Sequence, residues 1–457
     1  VGDWLEYISG EISGFVWGIP LIILLVGTGL YLTIRLMFFS FRMLPYAMKI
    51  SFSKQDKESK GDISHFQALM TSLAATVGTG NVVGVATAVV AGGPGAVFWM
   101  WITALVGMAT KYSEGILGVK YRQENAKGEM SGGPMYYIEK GLGQKWLAVL
   151  FAIFAVFAAI FGIGNMIQAN AAADVANDVF NVPLWVTGVV FMILIGLVII
   201  GGIKSIGRVT GVIVPFMIIV YLIAGVVLVV LNFEAVPAAF GLIFTDAFTG
   251  QAVAGGAIGT VIQMGVARGL FSNEAGLGTG GIAAAAARTD VPARQALISM
   301  TQVFIDTIIV CTITGLALVM ADMYASGVEG AALTAQSFNE LLPGFGHIVV
   351  AVTLLFFIFS TILGWAYFGE KCFTYLFGVN FTMFYRVIFV LAILPGATLS
   401  LDTVWNFGDI FNGLMAIPNL VGLLLLSGVV AKETKRFIDL RAYEKNELYN
   451  STRKKEA

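Results

Sequence analysis

Two stretches of this 457-residue chain gather polar and conformationally free residues inside otherwise apolar sequence. The first reads Ser72-Leu-Ala-Ala-Thr76-Val-Gly78-Thr79-Gly80-Asn81-Val-Val-Gly84. The second reads Gly265-Val-Ala-Arg268-Gly269-Leu-Phe271-Ser272-Asn273-Glu274-Ala-Gly276-Leu-Gly278-Thr-Gly280. Each glycine costs a helix roughly 1 kcal/mol relative to alanine, so both stretches are expected to unwind. The freed peptide groups would then be the chemistry. Amides at the start of a half-helix attract a carboxylate, and carbonyls at the end of the opposing one can ligate a bare cation.

The charged and amide side chains nearby are the next candidates. A charge inside a span is a functional candidate by default, so Arg268 and Glu274, both in the second stretch, are expected either to form a structural pair or gate or to contact a substrate. Glu114 and Asp306 could be ion ligands, proton carriers or links between helices; for Glu114, near one face, the link is the preferred reading. Asn165 and Gln168 stand three apart, share a helix face, and either line a site or bond a neighbouring helix. His65 and His347 lie at helix ends, where nothing favours a proton relay or a metal. Cys311 and Cys372 are too few and too unlike in setting for a disulfide framework or metal site. Gly276, Gly278 and Gly281 satisfy GxGxxG, but the strand before it and the acidic residue beyond are missing. HExxH, GxSxG and Walker sequences are absent, so an enzyme is not expected, and a net charge of −1 gives no reason to expect nucleic acid.

Holding such breaks takes long apolar helices, and the composition supplies them: 58% hydrophobic and 12% charged. Windows of about 20 apolar residues, each able to cross roughly 30 Å of hydrocarbon, recur as eleven expected spans. These are Phe15 to Ile34, Phe66 to Val90, Ala96 to Leu117, Trp146 to Ala173, Leu184 to Ile203, Val209 to Leu231, Val253 to Ala286, Ala296 to Met320, His347 to Phe368, Tyr385 to Leu401 and Ile410 to Val430. Lys and Arg collect in alternate connections, from Lys54, Lys57 and Lys60 after the first span to Lys432 through Lys455 in the tail. The intervening stretches Asp174 to Pro183, Asn232 to Gln251, Ala321 to Gly346 and Gly396 to Phe407 hold neither residue. Positive loops stay cytoplasmic, so a multi-pass cell-membrane protein with an outside N-terminus and a cytoplasmic C-terminus is expected. The first residues, Val1 to Gly14, lack Lys and Arg, so the first span is expected to be retained rather than cleaved.

The two glycine-rich stretches lie five segments apart, so spans two to six and seven to eleven read as two five-helix halves, each opening with a broken helix and the second inverted. Residues 1–60 would be an outward terminus, an extra helix and a linker. Residues 61–231 would form the first repeat, 232–252 an outward connection, 253–431 the second repeat and 432–457 a basic cytoplasmic tail. Paired interrupted helices at matching positions point to a transporter site near mid-membrane.

The segment Gly92-Gly-Pro-Gly-Ala-Val-Phe-Trp-Met-Trp101-Ile-Thr-Ala-Leu-Val-Gly107 resembles the signature of the alanine/glycine:cation symporter family. The resemblance extends over essentially the whole chain and includes Ser131-Gly-Gly-Pro-Met135 and Phe271-Ser-Asn-Glu-Ala-Gly276. It implies an all-α LeuT-like fold of five plus five inverted helices with one helix in front. The implied activity is sodium-coupled import of alanine and glycine by alternating access, in a monomer with no covalent cofactor. A proton-coupled or exchanging carrier of the same fold is the alternative, and a channel or transport-inactive amino-acid sensor the alternative of another class.

The resemblance further implies that Ala74 and Val77 carbonyls and Ser360 and Thr361 hydroxyls hold a sodium ion. A second cation would lie near Asn81 and Thr76, with Asp306 or Thr301. Amides near Gly78 and Gly80, beside Thr76 and Thr79, would hold the substrate carboxylate. Backbone from Gly269 to Ser272 would take its ammonium. Phe271, Gln168 and Trp365 would wall the pocket, with Asn165 and Gly276 at its edge.

Overall fold

The computed structural model describes residues 2–53, 59–249, 258–399 and 401–456. Lys54 and Lys57 of the first basic loop and the start of the seventh expected span, from Val253, lie outside the described residues. The chain opens with α1 (Gly2–Val16), α2 (Ile19–Arg35) and α3 (Phe39–Ser51). Next comes α4 (His65–Thr76), started by a capping box in which Ser64 Oγ accepts from the Gln67 amide and the Gln67 side chain accepts from the Ser64 amide. A break, a π-helical turn π1 (Gly80–Gly84) and α5 (Val85–Gly92) follow, and the helix bends by 51° across the break.

The chain continues through α6 (Ala96–Lys120), a hairpin of β1 (Gln123–Glu124) and β2 (Met130–Ser131), and α7 (Pro134–Leu142). After these come α8 (Lys145–Phe161), α9 (Met166–Phe180), α10 (Leu184–Ile199), α11 (Gly202–Leu231) and α12 (Val236–Thr249). The second half begins with α13 (Ile258–Asn273) and α14 (Thr279–Ala286). It goes on through α15 (Pro292–Val303), a second π-helical segment π2 (Phe304–Cys311) and α16 (Thr312–Ala321). It ends with α17 (Gly330–Leu341), α18 (Gly346–Phe377), α19 (Thr382–Leu391), α20 (Ile393–Thr398), α21 (Leu401–Leu425) and α22 (Ser427–Glu456).

Each of the eleven apolar stretches lies mainly on helix among the described residues. Length and composition alone qualify seven for crossing a membrane, or eight with the bent pair α4 and π1–α5 taken as one. The other three are α6, which carries Lys111 and Glu114, the 16-residue α10, and the interrupted pair α13–α14. On α11, Val212, Phe216, Ile219, Ile223 and Val230 are all exposed along one face. Such a stripe is stable against hydrocarbon and would be a liability in water.

The helix α6 is the central post. A Cβ added at its Gly118 would fall 2.3 Å from the Gly281 carbonyl of α14, and one at Gly115 would fall 2.9 Å from Ala296 Cα of α15. Small residues let transmembrane backbones touch, and this contact sets α6 directly beside the second broken helix.

Three expectations about elements are corrected. The fourth span is not continuous: Gly162 to Gly164 interrupt it, and Asn165 stands at the head of α9. Gly396 to Phe407 is not a plain connection, because α20 ends at Thr398 and α21 already begins at Leu401. Asp402, Asn406 and Asp409 dilute the hydropathy there and concealed the helix. Finally, of the expected stretch Gly265 to Gly280 only Glu274 to Gly278 is broken, so Arg268, Gly269, Phe271 and Ser272 are helical. Gly265 and Gly269 are small for packing. A Cβ would fall 2.5 Å from the Ala96 carbonyl at the first and 3.2 Å from Met100 Cα at the second.

Candidate functional site

At the first break α4 ends at Thr76, Val77 turns extended with φ −77° and ψ 94°, and the chain re-enters helix at Gly80. The carbonyls released there face α18. Thr361 Oγ1 lies 3.0 Å from the Ala74 carbonyl, 3.2 Å from that of Val77 and 2.9 Å from Phe357 of its own helix. Ser360 Oγ lies 2.9 Å from the Phe357 carbonyl and 3.5 Å from that of Ala74. Two hydroxyl protons thus serve five oxygen–oxygen approaches, and a hydroxyl can donate only once. The surplus lone pairs belong to buried residues in mutual contact, a donor set suited to a bare hard cation. Gly78 lacks a Cβ for a local reason, since one would fall 2.4 Å from Thr361 Oγ1.

The amides of the same break are already occupied. Asn81 Oδ1 accepts from the Gly78 amide at 2.9 Å, and Gln168 Oε1 accepts from that of Thr79 at 3.4 Å. Gln168 also donates from Nε2 to Thr79 Oγ1 at 2.9 Å. A carboxylate seated on these amides would replace two side-chain oxygens with its own. Beside them a Cβ at Gly80 would lie 2.9 Å from Ser272 Cα and 3.3 Å from the Phe271 ring, so the two broken helices touch here.

Asp306, on π2, is held by Asn81 Nδ2 at 2.9 Å, Ser272 Oγ at 2.7 Å and Thr307 Oγ1 at 2.8 Å. Asn81 Nδ2 and Ser272 Oγ also lie 3.3 and 3.2 Å from Cys311 Sγ. Both π segments meet at this cluster, and two carbonyls of π1 accept from threonine hydroxyls, Asn81 from Thr314 at 2.7 Å and Val82 from Thr334 at 3.1 Å. Thr76 does not join it. Its hydroxyl turns back to the Ser72 carbonyl at 3.2 Å, and Thr301 turns back to Ile298 at 2.7 Å, so of the residues expected around a second cation the structure joins Asn81 to Asp306 and leaves these two hydroxyls on their own helices.

The second break is braced from α6. Lys111 Nζ lies 3.3 Å from each of the Asn273 carbonyl, the Glu274 carbonyl and Thr279 Oγ1. Glu114 Oε1 accepts from the Gly276 amide at 2.9 Å, the Gly278 amide at 3.0 Å and Asn419 Nδ2 at 3.0 Å. Gly276, expected at the pocket edge, is therefore tied to Glu114 and, through its carbonyl, to Asn419 at 2.7 Å. Glu274 has a left-handed φ of +55°, accepts from Trp365 Nε1 at 2.7 Å, and accepts from Thr279 Oγ1 at 2.7 Å. Asn165 bonds a neighbouring helix, the second of its two expected roles: its amide donates to the Phe389 carbonyl at 2.6 Å.

Two sets of contacts flank this centre. At one end, Arg268 pairs with Asp409 at 3.2 Å, not with Glu274, and Phe271 stacks on Trp405 with ring centroids 5.1 Å apart. The Arg268 guanidinium lies over both rings, 5.7 and 5.4 Å from their centroids. At the opposite end, Arg122 donates to the carbonyls of Ala285, Ala287, Lys60 and Thr289 at 2.6 to 2.9 Å, closing α14 against the chain before α4. The hairpin is pinned by Lys371 to Glu129 at 3.0 Å and by the Met130 amide to Asp62 at 2.9 Å. Burial is the largest single influence and pushes the Glu129 carboxyl up, but the Lys371 ammonium, its hydrogen bond and that from Asn125 together hold the group below the ordinary glutamate value.

Lys111, Trp405 and Asp409 did not stand out in the sequence. A lysine within Ala96 to Leu117 is the signal that could have found the first. The others lay in sequence taken for a connection.

Residues 2–451 match the profile of the sodium:alanine symporter family. Among curated proteins, the chain is 56% identical to the sodium/alanine symporter AgcS of Methanococcus maripaludis, covering 98% of this chain and all of the relative. It is 36% identical to the probable sodium/glutamine symporter GlnT of Bacillus subtilis, covering 95% of this chain and 91% of the relative. Among solved structures it is similar to MhsT in complex with L-phenylalanine, with a TM-score of 0.57 at 13% identity over 82% of this chain and 98% of that one. That likeness shows the LeuT-like fold.

Proposed function

This chain belongs to the sodium:alanine symporter family, a family of multi-pass amino-acid symporters, and on that premise we propose that it imports alanine and glycine together with sodium by alternating access. The observation that carries the reading is the set of surplus lone pairs at Ala74, Val77, Ser360 and Thr361, which a sodium ion would neutralise. The ion would cross-link the first break to α18. That cross-link would fix the Gly78 to Asn81 turn and free its amides for the substrate carboxylate, with the ammonium directed to the backbone from Gly269 to Ser272. The close approach of Gly80 to Phe271 and Ser272 favours a small side chain. Rejection of larger ones would be steric, whereas a missing methyl costs only about 1 to 3 kcal/mol, so glycine would be accepted beside alanine.

One sodium ion moving inward through 100 mV releases about 2.3 kcal/mol, enough for roughly a fiftyfold substrate gradient. Arg268 with Asp409, and Phe271 with Trp405, would form the outward closure, and the Arg122 and hairpin contacts the inward one. Eleven spans in two inverted halves, with Lys and Arg loops inside, complete the reading.

The test is uptake of labelled alanine by purified protein in sealed liposomes, with an inward sodium gradient and then with potassium at matched pH. Accumulation above equilibrium only with sodium is expected, and Thr361→Ala should remove the sodium dependence. Uptake that follows a proton gradient instead would sink the sodium reading, and a Thr361→Ala variant with full sodium dependence would remove the ion from this position.

A further inference from the structure

Glu274 occupies a backbone conformation that a Cβ disfavours. Its φ is +55°, while the two other left-handed positions of the same turn, Gly276 at +103° and Gly278 at +86°, are glycines. A third glycine would relieve the turn, so the side chain has to account for its presence. It is fully buried, and its two oxygens are each committed: Oε1 accepts from Trp365 Nε1 and Oε2 from Thr279 Oγ1, both at 2.7 Å. The indole is also fully buried, and its Nε1 has no other hydrogen bond among the described residues. Trp365 stands four residues after Thr361 on α18, so the two share a face. One helix face therefore touches both breaks, at the Ala74 and Val77 carbonyls through Thr361 and at Glu274 through Trp365.

We infer that Glu274 is a positioning residue for the amino-acid pocket: its carboxylate fixes the Trp365 indole as a pocket wall, and through the Thr361–Trp365 face of α18 it joins the second break to the cation site. The inference rests on the proposed pocket and cation site, and it assigns them a specificity determinant that does not itself touch substrate. A rigid indole excludes long side chains; an indole without its acceptor can turn aside and admit them. Because Thr361 and Trp365 move with one helix, cation binding at the first is felt as indole position at the second.

The experiment compares wild type, Glu274→Gly, Glu274→Gln, Trp365→Phe and the Glu274→Gly/Trp365→Phe pair in proteoliposomes. It measures the ratio of alanine to methionine uptake and the sodium concentration for half-maximal uptake at low and high alanine. Glu274→Gly is expected to lose roughly tenfold or more of the preference for alanine and to lose the fall in half-saturating sodium that alanine produces. Glu274→Gln keeps one acceptor oxygen and should recover both readouts even where uptake is slower. Trp365→Phe should reproduce the glycine variant, and the double variant should be no worse than either. Wild-type selectivity in Glu274→Gly, or a Gln variant as altered as the Gly variant, would overturn the inference. If Glu274→Gly does not fold, the Gln and Trp365→Phe variants decide the same question. Wild type without sodium dependence would defeat the symport reading instead, and alanine and methionine affinities measured by calorimetry across the same variants would still read the positioning role.

Discussion

Lys111 and Glu114 carry two charges into the second half of α6, and both are fully buried. They stand three residues apart and so project from one face. The ammonium lies against carbonyls at the end of α13 and the carboxylate against amides that lead into α14. Helix ends carry partial charges of opposite sign, and each side chain opposes the one it meets. An intact helix would satisfy these groups by itself; a broken one needs an outside partner, and a single neighbouring turn supplies both. Lys111→Met should therefore destabilise the protein by about 3 kcal/mol, the cost of removing one partner from a buried charged set, read as a lowered unfolding temperature in detergent. Glu114→Gln on that background should add less than it does alone, because the two act on one turn.

The residues of the first break were legible in the sequence because Gly78, Gly80, Thr79 and Asn81 crowd one turn, with nothing else for them to do. The second was legible only as a region. Gly265 and Gly269 pack α13 onto α6, whereas Gly276 and Gly278 turn the chain, and composition cannot tell a glycine that admits a neighbour from one that adopts positive φ. The partners of Lys111 and Glu114 lie 162 to 305 residues away in sequence. No local pattern announces them.

Among the elements, the β1–β2 hairpin is the smallest and the most placed. It follows α6 directly, and its Met130 amide and Glu129 carboxylate reach the chain before α4 and the end of α18. It thus spans the base of both helices that face the cation position. The Glu129 contact also has a pH signature. Because the group is held below its ordinary value of 4.5, the contact stabilises the closed hairpin at all higher pH and weakens only as pH falls through the depressed value. Amide exchange across residues 123–131 should show constant protection from neutral pH down to about 4.5 and loss below it. In Lys371→Met the protection should be lost at neutral pH as well. A loss of protection between pH 5 and 7 in the wild type would point to a different anchor. The element-scale surprises have a common cause. Helices such as α12, α17 and the start of α21 cover the ends of the bundle, and a short half-buried helix has neither the length nor the apolar run that marks a span.

For the molecule as a whole, the separation of basic from Lys- and Arg-free connections predicts a sided protein. Cys311 and Cys372 are both buried and free, which leaves the background clean for labelling. In intact cells, Glu329→Cys should react with an impermeant maleimide and Lys435→Cys should not; the reverse pattern would invert the orientation.

The buried charges of α6 also dictate an order of manufacture. Lys111 and Glu114 leave the ribosome more than 160 residues before the peptide groups of Asn273 to Gly278 that receive them, and Asn419 comes 305 residues after Glu114. A lysine or a carboxylate at the centre of a lone helix opposes insertion by about 2.5 to 3.5 kcal/mol, and by less toward the helix end, where Glu114 stands. The nascent α6 is therefore less stable in lipid alone than in the finished bundle. Its two charges meet their partners only when α13, α14 and α21 have emerged, so the feature that braces the finished transporter ties an early helix to a late-arriving half of its own chain.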